Sequence, residues 1–304
     1  MINLRYHIVS LTAVFLALGL GVLAGTTVID QRVVESLEAN TRALQNTIKD
    51  RDAEIGVLKA QIALFEGLSD AVVPGLLRGR LPGASVALLT DGEVPGEVVQ
   101  NVSETLILAG ARRATRLAFS DRWALDQPAT IQQLATVIGS TDTDRDKLIG
   151  EAASRLASRL AGSGDARAEG DLIRAFENSG FIDVTDLPQT GAFPASDTMV
   201  VVVTSGAESS SPDEDAFFVP LLRKLSSSRV IGVVEPMDAQ RSFAEKIRGD
   251  RTLSQVICTI DHVDTPAGRL SLVYALRDRM RGRPAEHFGV REGADSVAPD
   301  VGAA

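Results

Sequence analysis

The sequence predicts an α/β protein in which one N-terminal transmembrane helix and a coiled-coil stalk precede a Rossmann-like, mostly parallel sheet domain. Three observations support this prediction. Residues 8–29 carry no charge, residues 34–65 repeat apolar side chains in heptads, and residues 84–284 alternate short apolar runs with helical patterns. The predicted order is a cytoplasmic N-terminus (1–7), the transmembrane helix (8–29), the coiled coil (30–66), a linker (67–83), the α/β domain (84–284) and a disordered tail (285–304).

The uncharged run 8–29 is long enough to cross a membrane. Its 22 residues form roughly 33 Å of helix, whereas the apolar part of a signal peptide has only about 7–15 residues. The segment "VLA" at 22–24 can also pass as a cleavage site, so a cleaved leader that leaves Gly25 at the N-terminus stays an alternative. The apolar run continues past that point, which favours an uncleaved anchor.

The charges that flank this run predict its orientation. Arg5 and the amino terminus lie on the short N-terminal side, while Asp30, Glu35 and Glu38 lie on the other. The flank with more positive charge stays in the cytoplasm, whereas acidic residues have little influence on the orientation. We therefore predict a single-pass protein of the cell membrane whose bulk is extracytoplasmic.

A heptad pattern follows the transmembrane segment. Spacings of three and four separate successive members, as in the a/d seam of a left-handed coiled coil. Glu54 and Lys59 occupy g and e positions, where a parallel dimer pairs them across the interface. The pattern predicts a homodimer; the alternative is one amphipathic helix against its own domain. The predicted oligomerisation residues are Val34, Leu37, Leu44, Ile48, Ile55, Leu58 and Ile62, and Thr41, Arg51 and Phe65 complete the repeat.

Beyond the linker, short apolar runs alternate with helical patterns. This alternation predicts a parallel sheet covered by helices on both faces, and the run of four Val at 200–203 fits a strand buried on both sides. The last twenty residues lack apolar periodicity and predict disorder. The predicted strands are "SVALL", "RLAFS", "FIDV", "TMVVVVTSG", "VIGVV" and "QVICTI". The predicted helices are 95–111, 129–138, 143–161, one ending at Gly180, and those near 213–228, 239–249 and 266–280.

Composition narrows the function classes. The net charge of −9 and the isoelectric point near 5.0 argue against nucleic acid as a partner. A single Cys excludes an intrachain disulfide. The sequence holds no G-x-G-x-x-G motif after the first strand, no P-loop and no G-x-S-x-G elbow. Ser-His-Asp chemistry would have to use His262 or His287, and nothing beside either suggests it. We therefore expect that the protein is not an enzyme.

Ligands of open α/β sheets bind where the strands end. The polar residues that follow predicted strands are Asp91, Thr204, Ser205, Glu235, Asp261 and His262. Three of the residues near the last of these strands, Asp261, His262 and Asp264, form a weak candidate cation site. Cys258 precedes them on a predicted strand and is expected in the core.

A structural explanation of the same stretch, "TIDHVDTPAGRLSLVYALRDRM", stands beside the metal hypothesis. Thr265 can cap the following helix, and Pro266 suits its first position. Asp264 places negative charge at the positive end of the helix dipole. Gly268 permits a close approach of another backbone.

The N-terminal stretch "LRYHIVSLTAVFLALGLGVLAG", the heptads and "DHVDTPAGRLSLVYAL" near the end together resemble the actinobacterial MctB family, whose members are labelled copper transporters. The resemblance spans nearly the whole chain. It implies a place in the cell envelope, a role in copper efflux or homeostasis, and copper as the bound metal. Some relatives are linked to envelope maintenance and cell separation.

The residues themselves do not explain copper transport. Copper(I) prefers Cys and Met, and copper(II) prefers His. The chain has one Cys, four Met and three His, without a Met-x-x-Met or Cys-x-x-Cys cluster, and predicts no cofactor. Two functions therefore remain: a copper-homeostasis component of the envelope, and a non-enzymatic scaffold that engages cell-wall or cell-separation machinery. Both predict another envelope protein as a partner.

Overall fold

The computed structural model describes residues 4–189, 191–207 and 211–302, with residues 4, 26–32, 66 and 70 described by their backbone alone. The chain forms two compact units, Met1–Glu66 and Gly67–Ala304. Helix α1 (Leu4–Leu77) supplies the first unit and continues into the second. The first unit is helical wherever it is described, and all named strands belong to the second.

Apolar side chains of the first unit lie on the outside of α1. Those of the predicted heptad seam range from 47% exposed at Ile55 to 66% at Phe65. Two segments of α1 have the length and apolar content to cross a membrane: Arg5–Gly25, with a mean hydropathy of 2.3, and Val33–Leu77, with 1.3. The first overlaps the predicted transmembrane helix. The coiled coil stays a prediction, because its seam closes only against a second helix.

The segment 67–83, predicted to be a linker, is helical as far as Leu77. Its Gly and Pro content favours a break, and Pro74 lies within α1. The helix persists because Leu77 is buried in a core cluster with 1% of its surface exposed, and Leu81 joins the same cluster. Packing outweighs the weak helix propensity here. Within this segment, residues 78–83 are irregular.

A seven-stranded sheet is the centre of the second unit. Its strands are β1 (Ser85–Thr90), β2 (Arg113–Phe119), β3 (Ile182–Thr185), β4 (Thr198–Val203), β5 (Ile231–Val234), β6 (Ile257–Ile260) and β7 (His287–Phe288). The strand order is β3-β2-β1-β4-β5-β6-β7, and every pairing is parallel except that of β3 with β2. This confirms the predicted, mostly parallel α/β sheet.

Helices cover both faces of the sheet. Besides α1 they are α2 (Gly96–Leu108), a 3-10 helix (Asp121–Ala124), α3 (Pro128–Ile138), α4 (Arg145–Ala161), α5 (Leu172–Asn178), a π-helix (Glu214–Phe218), α6 (Val219–Leu225), α7 (Phe243–Gly249) and α8 (Pro266–Met280). One core cluster packs α3, α4, α5, α6 and α7 against the sheet, and the other packs α2, α8 and the end of α1. The helix predicted near 213–228 is divided into the π-helix and α6.

Strand β4 shows why the four-Val run is apolar throughout. Val200 and Val202 belong to one core cluster, while Val201 and Val203 belong to the other. Side chains of a strand alternate between its faces, so a central strand covered on both sides needs apolar residues at every position. The predicted burial on both sides is confirmed.

Helix α8 begins as its sequence predicts. Thr265 Oγ1 accepts a hydrogen bond from the Gly268 amide at 3.0 Å, and Pro266 is the first helical residue. A Cβ at Gly268 would overlap the carbonyl oxygen of His262. The cap, the Pro and the glycine together fix the turn between β6 and α8.

The tail, predicted to be disordered from residue 285, is ordered over most of its described length. Strand β7 pairs parallel with β6, and the His287 amide donates to Asp295 Oδ2 at 2.9 Å. A two-residue strand is too short to show periodicity. Its order depends on contacts with residues far back along the chain, which composition does not reveal.

Candidate functional site at the carboxyl ends of the strands

Four buried polar residues form a row across the carboxyl ends of the central strands. Asp91, Thr204, Glu235 and Asp261 each follow the last residue of β1, β4, β5 and β6, and each is at most 2% exposed. Their amides donate to the carbonyl of the last residue of the neighbouring strand, at 3.3, 3.0, 2.9 and 3.3 Å respectively. The register of the sheet therefore extends through all four, and alternation directs their side chains to one face.

Asp91 joins the end of β1 to the loop after β4. Its Oδ2 accepts hydrogen bonds from the Ser205 amide at 2.8 Å and the Ser205 hydroxyl at 3.0 Å, and Oδ1 accepts from the Glu93 amide at 3.1 Å. Burial raises the pKa of Asp91, although the bonds from Ser205 oppose this. The chain runs from β1 towards one edge of the sheet and from β4 towards the other, so this is the crevice where α/β sheets bind ligands.

Glu235 caps helix α7. Its Oε2 accepts from the amides of Phe243 at 2.8 Å and Ala244 at 3.1 Å, and Oε1 accepts from the Ser242 hydroxyl. Arg291 Nε lies 3.9 Å from Oε1. Burial raises the pKa of Glu235. Its carboxylate is committed to the first turn of α7.

Asp261 holds the C-terminal tail. It accepts from Arg248 Nη1 at 2.8 Å and from the amides of Val290 and Arg291 at 2.9 and 3.2 Å. Burial opposes ionisation, but the adjacent His262 side chain, the Val290 amide and the Arg248 guanidinium outweigh it and hold the pKa of Asp261 below its ordinary value. A Cβ at Gly289 would overlap this carboxylate. Asp261 therefore acts as an anchor for the residues after β7.

Two of the three candidate metal ligands lie side by side, and the third is engaged elsewhere. His262 is 1% exposed beside Asp261, and neither ring nitrogen has a hydrogen-bond partner among the described residues. Its Nδ1 lies 3.6 Å from Asp261 Oδ1, which is too far for a hydrogen bond. Asp264 accepts from the Met237 amide at 2.9 Å. No group of three or more His, Cys, Asp and Glu side chains is arranged to hold a metal in the described part of the chain.

The side chains that copper prefers are also dispersed. Cys258 is fully buried on β6, and burial raises the pKa of its thiol to about 12. Met199 is buried on β4. His287 is engaged by Thr259 Oγ1 at 2.9 Å and by the Ser254 carbonyl at 3.0 Å. Met237 is half exposed, and its contact with Asp264 is a hydrogen bond from its backbone amide.

Sequence reasoning missed Glu214, the first residue of the π-helix. It is 8% exposed, and its Oε1 has no hydrogen-bond partner within the described ranges; the same holds for Thr204 Oγ1. Burial, followed by the charges of Glu235 and Asp91, raises the pKa of Glu214 to about 7. Glu214 does not follow a strand, so no positional rule singles it out. Glu214 thus lies within reach of the charges of the row and adds to the crevice a carboxyl group with a raised pKa.

Comparison with known proteins decides the family. A family profile described as "Copper transport outer membrane protein, MctB" matches residues 1–299. The chain belongs to the MctB family. The match includes the apolar N-terminal segment, the heptads and the α/β unit, so family membership applies to the whole architecture and not to one domain.

Curated relatives agree. The proteins named "Copper transporter MctB" of Mycobacterium bovis and Mycobacterium tuberculosis are each 27% identical to this chain over 316 aligned residues, covering 98% of this chain and 99% of the relative. The protein of that name from Mycobacterium leprae is 22% identical over 322 residues with the same coverage. The MctB architecture is therefore shared over its full length, at a sequence identity that leaves most side chains different.

Proposed function

We propose that this MctB-family protein is a membrane-anchored component of copper homeostasis or efflux in the cell envelope, and that it acts on copper through a partner protein. The family match over residues 1–299 supports the copper role. The described side chains support the indirect route. Copper sites gather several soft or imidazole donors, whereas Cys258, His262 and His287 are buried at separate positions.

The proposed topology is a single membrane span with the α/β unit outside the cytoplasm. Arg5–Gly25 is the more apolar of the two candidate spans. The segment Val33–Leu77 contains the heptads with their charged residues, among them Arg51 and Glu54. Charges of that kind are costly in a lipid-facing helix, which favours a stalk over a second span.

We propose a binding role without catalysis. Asp91 and Glu235 are the carboxylates that an α/β enzyme would use at this crevice. Both are instead occupied by backbone amides and serine hydroxyls. Asp91 and Glu235 thus hold a loop and a helix in position. This structural role supports a domain that presents a surface to another envelope protein. The stalk would pair with a second copy of the chain.

A copper-tolerance assay tests the copper role. Deletion of the gene should lower the copper concentration that the cells tolerate and raise their copper content. The intact chain should restore both, as should His262→Ala and Cys258→Ala, because neither side chain is proposed to hold copper. A chain that lacks residues 5–25 should not restore tolerance. Unchanged tolerance after deletion would refute the copper role.

A pull-down from detergent extracts identifies the partner class. Retention of a copper pump supports the proposal. Retention of cell-wall or cell-separation enzymes instead, with normal copper tolerance, would favour an envelope scaffold. The membrane fraction and the soluble fraction should be compared, because release of a chain that begins at Gly25 would refute the anchor.

A further inference from the structure

The seam of the stalk carries the residue types that select two parallel strands. β-branched residues at a with Leu at d favour dimers over trimers and tetramers. The apolar side chains at these a and d positions are all about half exposed or more on the isolated helix. The a positions hold Val34, Thr41, Ile48, Ile55 and Ile62, and the d positions hold Leu37, Leu44, Arg51, Leu58 and Phe65.

Both polar members of the seam have partners on their own helix. Thr41 Oγ1 donates to the Leu37 carbonyl at 2.7 Å, and Arg51 Nη1 lies 2.8 Å from Glu54 Oε2. Leaving a buried polar group without a partner costs about 1–3 kcal/mol. The Thr41 hydroxyl therefore keeps its partner when the seam closes, and Glu54 offsets the charge that Arg51 places beside Arg51 of the second copy.

The charges beside the seam distinguish one register from its neighbours. In a parallel dimer, a g residue faces the e residue five positions later on the other helix. In register, Glu54 faces Lys59 of the second copy. A slip of one heptad places Glu54 opposite Asp52 or Glu66 of the second copy, both acidic.

We propose that the stalk is a parallel, in-register, two-stranded coiled coil of two copies of this chain, and that the layer formed by Glu54 with Lys59 of the second copy fixes the register. The inference deepens the proposed function, on which it rests for the membrane anchor. Two chains anchored at their N-termini in one membrane extend in the same direction, which excludes the antiparallel pairing.

Disulfide trapping in membranes tests the pairing with the full chain. A disulfide needs Cβ atoms about 3.5–4.5 Å apart. Leu44→Cys, at d, should crosslink to its twin under mild oxidation, and Asn46→Cys, at f, should not. The native Cys258 is fully buried, so it does not compete. Equal crosslinking at both sites, or none at Leu44→Cys, would overturn the proposal.

A matched pair of charge reversals tests the layer. Lys59→Glu, combined with Leu44→Cys, sets Glu against Glu54 of the second copy and should reduce the crosslinked fraction. Lys49→Glu makes the same change at b, which faces outward, and should leave it unaltered. Neither substitution touches a core side chain or the pair of Arg51 with Glu54. Equal losses from both would show that net charge, and not this layer, governs the pairing.

A mixed-register assay completes the test. When chains with Leu37→Cys and Leu44→Cys are co-expressed, the mixed disulfide should be absent, because it needs a slip of one heptad. A mixed disulfide in the wild-type background would refute the register. These assays contain no copper. A Leu44→Cys crosslink without a copper phenotype would therefore refute the proposed copper role alone, and a copper phenotype without the crosslink would refute the dimer alone.

Discussion

Ile55 of the stalk and Ile231 of the sheet are the same residue type in opposite surroundings. Ile55 is 47% exposed on α1, whereas Ile231 is fully buried between strands and helices of its own chain. Burying such a side chain is worth about 1.5–3 kcal/mol. The α/β unit obtains this stabilisation from its own sequence. The first unit leaves Ile55 exposed and obtains this stabilisation only when its apolar seam is covered.

This difference separates two kinds of stability. A substitution in the α/β unit should have the same effect at every protein concentration, because the folded and unfolded states are both single chains. A substitution in the seam should have an effect that depends on concentration, because it changes an association. The comparison fails if the stalk behaves like the α/β unit.

The largest effect is expected for a substitution of Arg229, which is 8% exposed. Its guanidinium donates hydrogen bonds of 2.7–3.4 Å to six backbone carbonyls, at the end of α4 and around the start of β4. Arg229→Ala should lower the free energy of unfolding by about 3–5 kcal/mol, since several buried carbonyls lose their donor. The shift in urea midpoint measures this. Arg251→Ala, at an exposed position, should stay within about 0.5 kcal/mol. Equal shifts would contradict the assignment.

The second effect is a pH dependence that originates at Glu214. Its pKa is raised to about 7 from 4.5, so the folded state retains a proton that the unfolded state loses. Stability from this group is present at pH 4 and is lost as the pH rises to about 7. Glu214→Gln should therefore stabilise the protein by about 2–3 kcal/mol at pH 8 and change little at pH 5. Melting curves at both pH values measure this, and a pH-independent difference would refute it.

The third effect compares the two isoleucines directly. Ile231→Val should cost about 0.5–1.5 kcal/mol in the urea-induced unfolding of the α/β unit at any protein concentration. Ile55→Val should leave that transition unchanged and weaken the dimer instead. Sedimentation of the full chain in detergent over a range of concentrations measures the association. A monomer at every concentration would show that the exposed seam of α1 has another partner.

The smallest effect is expected for copper. The full chain should bind copper(II) weakly through surface carboxylates and imidazoles, and His262→Ala should not change this binding. Titration against a competing chelator measures both. Stoichiometric binding that survives the chelator and disappears in His262→Ala would show that the two unpartnered ring nitrogens form part of a real site.

The α/β architecture could be predicted because its signals are local. Helix α8 begins at the predicted residue, since Thr265, Pro266 and Gly268 each satisfy a requirement of the first turn. Strand β4 was recognisable from its Val run. Its neighbours are parallel because helices connect them, which the alternation of patterns indicates.

The remaining features depend on contacts between distant positions. The order of the tail comes from bonds between Asp261 and residues 290–291. The helical course of 67–77 comes from burial of Leu77, against the propensity of its Gly and Pro. Asp91, Glu235 and Asp261 could be predicted as site residues because each follows a strand. The role of Glu235 as a cap and that of Asp261 as an anchor depend on hydrogen-bond partners that the sequence does not reveal. Glu214 was missed because the π-helix, not a strand end, brings it to the crevice.

The placement of the tail has a consequence for how the protein is made. Synthesis starts at the N-terminus, and domains begin to fold while the rest of the chain is still being added. Strand β7 and the amides of residues 290–291 are made after the six other strands. Until they are made, the Asp261 carboxylate has Arg248 but lacks its amide donors, and β6 is an open edge. A chain that stops before β7 would therefore have an exposed strand edge and a partly satisfied buried acid.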